Sequence, residues 1–400
     1  MRLLRIVLLV FGGQILILFA LYLLLMRDGS SSGVLAQTYD FGYFYDGARA
    51  WLAGRNPYGE FGFITPPPSL IIPSLLVRLS LARATTVFRL FNLVLVPLSL
   101  WWYAGAVRLP VRERVGFLIA SALFISAQQS VFGGNMDGLM LILLIAAFCV
   151  RRRPWGALWL AASITIKLYS IILVPVALRR RQWRFAALTM LAAFLFLLPF
   201  HSLWRPALHA LGGRNGGYSP ASISPAPLIA MLQGDVRHSG SHLYQVFWVV
   251  TFFIALYRDS SIELSPRTLA RYIPWMLALP ALVFSYVGVL ATVVLASLLA
   301  TAHKRSLHRA ERCVFLGFLL LGIHVERVTN VLPLTYETYL FFLTHAAVIQ
   351  SFGVALMILG TCCSPSEEAS EGETQDETGE EAAVAGHSLP GRSRQAVPTA

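Results

Sequence analysis

The first 28 residues, MRLLRIVLLVFGGQILILFALYLLLMRD, decide the fold class, because Arg2 and Arg5 precede a run of roughly 20 apolar residues. An α-helix rises 1.5 Å per residue, so a run of this length crosses the roughly 30 Å hydrocarbon core of a bilayer. It is too long for the apolar core of a cleavable signal peptide and indicates a retained membrane helix. Since Lys and Arg are enriched on the cytoplasmic side, we expect a cytoplasmic N-terminus and an extracytoplasmic loop at 27–66.

Apolar segments recur along the chain, which is 56% hydrophobic with a mean hydropathy of +0.64. Only 13% of its residues are charged, against about 25% in soluble domains. The further apolar segments are 67–80, 85–106, 115–132, 136–150, 155–178, 184–200, 243–257, 269–301, 312–325 and 331–361. The segments 269–301 and 331–361 are each long enough for one tilted helix or a helical pair. The sequence therefore predicts an all-α, multi-pass protein of the cell membrane with about 10 to 12 crossings.

Charge divides the chain into two parts. Eight of the 20 acidic residues but only two of the 32 basic residues lie in 364–400, which predicts a disordered acidic tail after a transmembrane domain at 1–363. The remaining basic residues bracket apolar segments rather than alternating with exposed aromatics, a pattern that indicates membrane orientation and no nucleic-acid partner.

The basic clusters raise a problem of topology. Arg108–Arg114, Arg151–Arg153 and Arg179–Arg184 cannot all be cytoplasmic if each intervening segment spans the membrane once. We therefore expect short segments such as 136–150 to be half-length or re-entrant helices, which a membrane protein tolerates where they are buried in protein.

The loop 27–66 contains a helical pattern. Asp40 stands at the N-cap position, and Gly54 and Pro57 form a usual stop. We expect an amphipathic helix of about 13 residues on the outer membrane surface with its aromatic side toward the membrane. Its apolar positions are Phe41, Phe44, Tyr45, Ala48, Trp51 and Leu52.

Two roles fit Asp40, namely helix cap and general base. They are compatible, because a capping carboxylate keeps a second oxygen available. Asp46 lies about 240° further around the helix, so the two carboxylates do not share a face. This spacing argues against the paired carboxylates of a glycosidase.

The string D-F-x-x-x-Y-x-x-A-R-x-x-x-x-G-x-x-P-Y, from Asp40 to Tyr58, resembles the first-loop signature of glycosyltransferase family 87. Four later features resemble that family in the same order: Thr65–Pro68, Gly133–Leu141, Ile166–Pro175 and Pro280–Tyr286. The resemblance covers about 25–300 and implies a membrane enzyme of GT-C type that uses polyprenyl-phosphate sugars.

The resemblance implies an inverting transfer at the extracytoplasmic face, with Asp40 as the general base. The donor would be a polyprenyl-phosphate sugar, mannose first and arabinofuranose next, and the acceptor a lipid or glycan. The expected substrate-binding residues are Tyr45, Arg49, Tyr58, Asn135, Asp137, Lys167, Arg237, His238 and His242. The last three precede a helix, whose positive end favours phosphate. The histidines of 201–242 lack HxH or HExxH spacing, so we expect no metal, and no cofactor is implied.

Other interpretations remain open. Lys167, one of two lysines in the chain, could snorkel or form a structural pair with Asp137. The loop 201–242 could be a solvated polar loop. A transporter or flippase of a lipid-linked or anionic solute would use Lys167 and Asp137 near the midplane, and a scaffold of an envelope-synthesis complex would use the acidic tail for docking.

Overall fold

The structure, a computed structural model, describes residues 2–26, 41–58, 63, 65–150, 152–214, 241–279, 285–324 and 336–363. The side chains of 21–26, 211–214, 241–245, 285–286 and 336–344 lie outside this description, as does the predicted acidic tail. The first eight helices are α1 Arg2–Met26, α2 Phe41–Leu52, α3 Ile71–Leu76, α4 Leu81–Ala106, α5 Val111–Leu123, α6 Ile125–Phe132, α7 Asp137–Cys149 and α8 Arg153–Ile166.

The second half of the described chain is also helical, which confirms the all-α prediction. Its helices are α9 Leu173–Arg179, α10 Trp183–Leu197, α11 Trp204–Arg214, α12 Ser241–Arg258, α13 Pro266–Ala278, α14 Thr292–Lys304, α15 Arg309–Leu321 and α16 Tyr336–Cys363. Short 3₁₀ helices lead into α3, α9, α11 and α14 at Pro67–Leu70, Leu168–Ile172, Leu198–Leu203 and Ser285–Ala291.

Several helices are long and apolar enough to cross a membrane, which confirms a multi-pass protein. Five such spans lie within the described residues: Arg2–Ala20, Leu81–Ala106, Trp183–Ala210, Val287–Lys304 and His345–Cys363. The pair α5 and α6, bent by 70° at its break, makes a sixth if it is one span. The helix α7 is short, with 13 residues, as predicted for 136–150. The count of about 10 to 12 crossings stays a prediction.

The basic clusters lie together at one end of the bundle. Arg108, Arg267 and Lys304 line the same cavity, and Arg153 donates a hydrogen bond of 2.5 Å to the carbonyl oxygen of Leu264. We call this the basic end and define it as 106–114, 152–153, 179–184, 257–267 and 303–312. Because the two ends of 266–304 both reach it, the apolar segment 269–301 is a helical pair.

Both ends of the described chain also reach the basic end. The side chain of Leu4 packs against Gly116, near the start of α5. Gly360 lies against the backbone of Ala310 and the side chain of Val314, at the start of α15. The first and last membrane helices therefore begin and finish at the same level of the bundle.

The chain reverses at Lys167, so the predicted apolar segment 155–178 is not one continuous helix. The helix α8 ends at Ile166, and Lys167 has extended backbone angles of φ −145° and ψ 128°. The hydroxyl oxygens of Ser163 and Ser170 are 2.6 Å apart, whereas seven residues of continuous helix advance about 10.5 Å. The segment 155–178 is a helical hairpin, and this explains how Arg153 and Arg179 reach the same end.

A buried ion cluster fastens the turn after α9 to the turn after α12. Arg180 is 1% exposed and donates to Oδ2 of Asp259 from Nε at 3.1 Å and from Nη2 at 2.8 Å. The hydroxyl of Tyr272 donates to the same oxygen at 2.8 Å, and Arg271 lies 3.7 Å from Oδ1. Burial alone would raise the pKa of Asp259, but Arg180, Arg271 and the bond from Tyr272 outweigh it and lower the pKa.

We predict that Asp259→Asn destabilises the protein by about 3–5 kcal/mol, because it leaves Arg180 buried beside a neutral group. A lowered pKa means that the carboxylate stabilises the fold above its unfolded pKa of about 3.9 and loses this effect as the pH falls further. Thermal unfolding of the solubilised protein should therefore show a difference in unfolding temperature between wild type and variant, and this difference should disappear below about pH 4. A difference in unfolding temperature that does not depend on pH would contradict this explanation. Arg271→Gln, at the edge of the cluster, should cost about 1 kcal/mol or less.

We also predict that the basic end is cytoplasmic, since Lys and Arg concentrate on that side. In a background without native cysteines, Ser31→Cys should react with a membrane-impermeant maleimide on intact cells. Lys304→Cys, at the basic end, should react only after permeabilisation. The reverse pattern would invert the topology.

Candidate functional site

The predicted helix of the first loop is present as α2, Phe41–Leu52, with 12 residues. Its aromatic side packs against protein rather than lipid, which corrects the expected contact with the membrane. Phe41 stacks on Phe88 with ring centroids 4.8 Å apart, and Phe44 meets Phe63 edge-on at 6.0 Å. Leu52, predicted on the apolar side, is 57% exposed. A helix that packs on protein in this way can cover one side of a binding site.

Two glycines let α2 approach its neighbours closely. Gly134 has φ +66°, and a Cβ added there would lie 2.9 Å from Cβ of Phe41. A Cβ on Gly47 would lie 3.1 Å from the ring of Phe63. Larger residues would force α2 away. Gly134 therefore lets Phe41, at the start of α2, lie on the turn before α7, and Gly47 lets α2 lie against Phe63.

Two of the predicted substrate-binding residues hold the first loop in place. The Tyr45 hydroxyl donates to the carbonyl oxygen of Leu79 at 2.7 Å, and the Tyr58 hydroxyl donates to that of Thr65 at 2.9 Å. Burial raises the pKa of Tyr58, so this hydroxyl stays protonated. Arg49 is exposed on the same helix. These bonds give Tyr45 and Tyr58 a structural role in the first loop. Contact with substrate stays a prediction for Tyr45, Tyr58 and Arg49.

The structure brings Asn135, Asp137 and Lys167 into one cluster. Nζ of Lys167 lies 2.7 Å from Oδ2 of Asp137 and 3.0 Å from Oδ1 of Asn135. All three residues are buried. The structural pair that the sequence left open is therefore formed, between the tip of the α8–α9 hairpin and the first turn of α7.

The N-terminus of α7 favours negative charge in this cluster. Oδ1 of Asn135 accepts a hydrogen bond of 3.3 Å from the backbone N–H of Asp137, one of the first N–H groups of α7. Asp137 lies in the first turn, where the helix dipole stabilises a carboxylate. An ammonium beside a helix N-terminus is also an arrangement that binds phosphate oxygens.

Two neighbours of the cluster, Asn92 and Tyr169, and the nearby Arg89 of α4 were not predicted from the sequence. Asn92 is buried in α4 and donates from Nδ2 to the carbonyl oxygen of Asn135 at 3.3 Å. Arg89 lies one turn earlier on α4 and is half-buried within a candidate span. The ring of Tyr169 has its centroid 5.9 Å from Nζ of Lys167. A polar residue inside an apolar span is itself a signal of function, and Arg89 and Asn92 carried that signal in 85–106.

The remaining predicted site residues, or their side chains, lie outside the described part of the chain. Asp40, Arg237 and His238 lie outside the described residues, and His242 lies in the first turn of α12 with its side chain outside them. Within the described ranges, no group of three or more His, Cys, Asp and Glu residues could hold a metal ion.

The site lies far from the basic end. Helix α8 has 14 residues and α7 has 13, so each spans only about 20 Å between the basic end and the cluster. Helix α4, with 26 residues, is about 39 Å long; it begins near α2, beyond the cluster, and ends at the basic end. The cluster is therefore recessed below α2, about 20 Å along the bundle from the basic end.

Comparison with known proteins connects this geometry to a family. Residues 63–333 match glycosyltransferase family 87, a region that includes the cluster but not α2. The chain is also 29% identical over 195 residues to a polyprenol-phosphate-mannose-dependent α-(1-2)-phosphatidylinositol mannoside mannosyltransferase of Mycobacterium tuberculosis, an alignment that covers 42% of this chain and 45% of that protein. Because the family match extends over more than half of its length, the chain belongs to glycosyltransferase family 87.

Proposed function

We propose that this protein transfers mannose from a polyprenyl-phosphate donor to a lipid acceptor on the extracytoplasmic side of the membrane. The observation that carries the proposal is the buried cluster of Asn135, Asp137 and Lys167, which lies within the family match and about 20 Å from the basic end. Membership of a glycosyltransferase family favours this reading over a transporter that uses the same two charges.

The donor phosphate would bind beside Lys167. The ammonium has three N–H donors, which a phosphate can share with Asp137 and Asn135. The N-terminus of α7 adds a partial positive charge at the same point. We propose Arg237, His238 and His242 as further phosphate contacts, since His242 lies in the first turn of α12 and the other two precede it in the chain.

The acceptor would supply a hydroxyl group from above the cluster. The related mycobacterial protein is named for a phosphatidylinositol mannoside acceptor and an α-(1-2) linkage. We propose a mannolipid of this kind for the present chain. If the new linkage is α and the transfer inverts the anomeric carbon, the sugar of the donor must be β-linked.

The catalytic base in this proposal is Asp40. Its carboxylate takes the proton of the acceptor hydroxyl, the hydroxyl oxygen bonds to the anomeric carbon, and polyprenyl phosphate leaves with the electrons of the broken C–O bond. Support comes from Phe41, the next residue in the chain, which packs on Gly134 directly before Asn135. Asp40 is thus covalently attached to a residue that contacts the turn bearing the cluster.

We predict that Lys167→Met destabilises the protein, because Asp137 stays buried without its ammonium, and that Lys167→Met/Asp137→Asn recovers much of the loss. The double variant should nevertheless raise the donor KM by about 10- to 100-fold, since hydrogen bonds to charged groups contribute about 1.5–3 kcal/mol. The measurement is mannosyl transfer by purified, reconstituted protein.

A second buried pair provides the matched control. Arg180→Met/Asp259→Asn removes an ion pair of the same kind at the basic end and should leave the donor KM unchanged. If the folded Lys167→Met/Asp137→Asn variant has a normal donor KM, the pair is structural only.

We predict that Asp40→Asn lowers the transfer rate by about 10² to 10⁴, the usual contribution of a general base. Asn caps helices about as well as Asp, so folding and donor binding should be retained. Asp46→Asn, on the same helix but another face, is the control and should transfer at close to the normal rate. Equal activity of the two variants would reduce Asp40 to a helix cap.

A further inference from the structure

A polar cavity opens at the basic end, remote from the proposed active site. It has a volume of about 480 Å³ and is lined by Arg108, Arg267 and Lys304, with Glu263 as the acidic side chain. The three cations come from three separate elements, namely the α4–α5 turn, the first turn of α13 and the last residue of α14. Three basic groups against one carboxylate make the lining positive, so its ligand should be an anion.

Two further features suit an oxyanion. The lining includes Ser265, Pro266 and Arg267 at the N-terminus of α13, where the helix dipole favours negative charge, while the side chain of Ser265 already accepts from the backbone N–H of Thr268. Ser261 also lines the cavity, is 5% exposed, and its Oγ has no hydrogen-bond partner among the described residues. A buried hydroxyl without a partner is costly, and a bound oxyanion would accept its hydrogen bond.

The position of the cavity at the ends of candidate membrane spans indicates the source of the anion. Ala106 and Lys304 are the last residues of two candidate spans, Leu81–Ala106 and Val287–Lys304, and both line the cavity. The ends of spans lie at the level of lipid headgroups, where basic pockets between helices bind anionic lipids. The nearby ion pair of Arg180 and Asp259 holds Arg180 away from any such role, since both side chains are buried together.

We propose that this cavity binds the phosphate of an anionic glycerophospholipid from the leaflet at the basic end. The site is independent of the donor phosphate at Lys167. Bound lipid would connect the α4–α5 turn with the ends of α13 and α14 and so stabilise the bundle.

The test is thermal unfolding of the full-length protein in detergent, titrated with phosphatidylglycerol, phosphatidylcholine or inorganic phosphate. Phosphatidylglycerol should raise the unfolding temperature, and phosphatidylcholine should not. Arg267→Gln/Lys304→Gln should weaken the apparent affinity for phosphatidylglycerol by about 30-fold, the value expected for two basic groups near an anionic membrane surface.

A matched control separates the cavity from the general charge of this end. Arg258→Gln/Arg309→Gln removes two exposed basic residues of the basic end that do not line the cavity, and should leave the affinity within about threefold. Equal weakening by both variants would contradict a specific site. An equal response to inorganic phosphate would assign the cavity to free phosphate instead of lipid.

The acidic segment 364–400 offers a further possible outcome of this test, because it follows α16, which ends at the basic end. If phosphatidylglycerol has no effect and truncation after Cys363 lowers the unfolding temperature, the carboxylates of the tail occupy the cavity and the lipid proposal is wrong.

Discussion

The contact between Lys167 and Asp137 is the constraint on which the site depends. Their side chains meet at 2.7 Å and are almost fully buried, so neither charge can be removed alone without a large cost. The pair joins the tip of the α8–α9 hairpin to the first turn of α7. The turn before α7 in turn supports α2 through Gly134 and Phe41. One buried ion pair thereby positions two consecutive elements, α7 and the α8–α9 hairpin, together with α2 from a distant part of the sequence.

The bundle separates its charges into two regions with different tasks. The basic end contains most of the described arginines, together with an ion cluster in which the pKa of Asp259 is lowered. Away from the basic end, the charges of Lys167 and Asp137 are paired and buried beneath α2, whereas Arg49 of α2 is exposed. In a low-dielectric environment each of these charges acts strongly on its neighbours. This arrangement suits a reaction in which a phosphate leaves and a proton must be removed from a hydroxyl group.

The sequence predicted those features that local pattern determines. The spacing of apolar residues around Phe44 and Ala48 was enough for α2, and two isolated charges in apolar segments were enough to select Asp137 and Lys167. The reversal at Lys167 was not predictable, because hydropathy is equally high in a continuous helix and in a hairpin. The contact that proves the reversal joins Ser163 to Ser170 and exists only in the folded chain. The aromatic face of α2 was assigned to lipid for a similar reason, since an apolar surface does not specify what covers it. Asn92 and Arg89 could have been selected by the same rule that selected Lys167.

The central claim is that the donor phosphate binds at the Lys167 cluster. A structure determined by electron cryo-microscopy with a non-transferable polyprenyl-phosphate-mannose analogue tests it most directly. If the phosphate binds there, one of its oxygens lies within about 4 Å of Nζ of Lys167, at the N-terminus of α7 and below α2. A phosphate bound elsewhere, with the contact of Lys167 to Asp137 and Asn135 unchanged, would contradict the account and leave the cluster as a structural element of the fold.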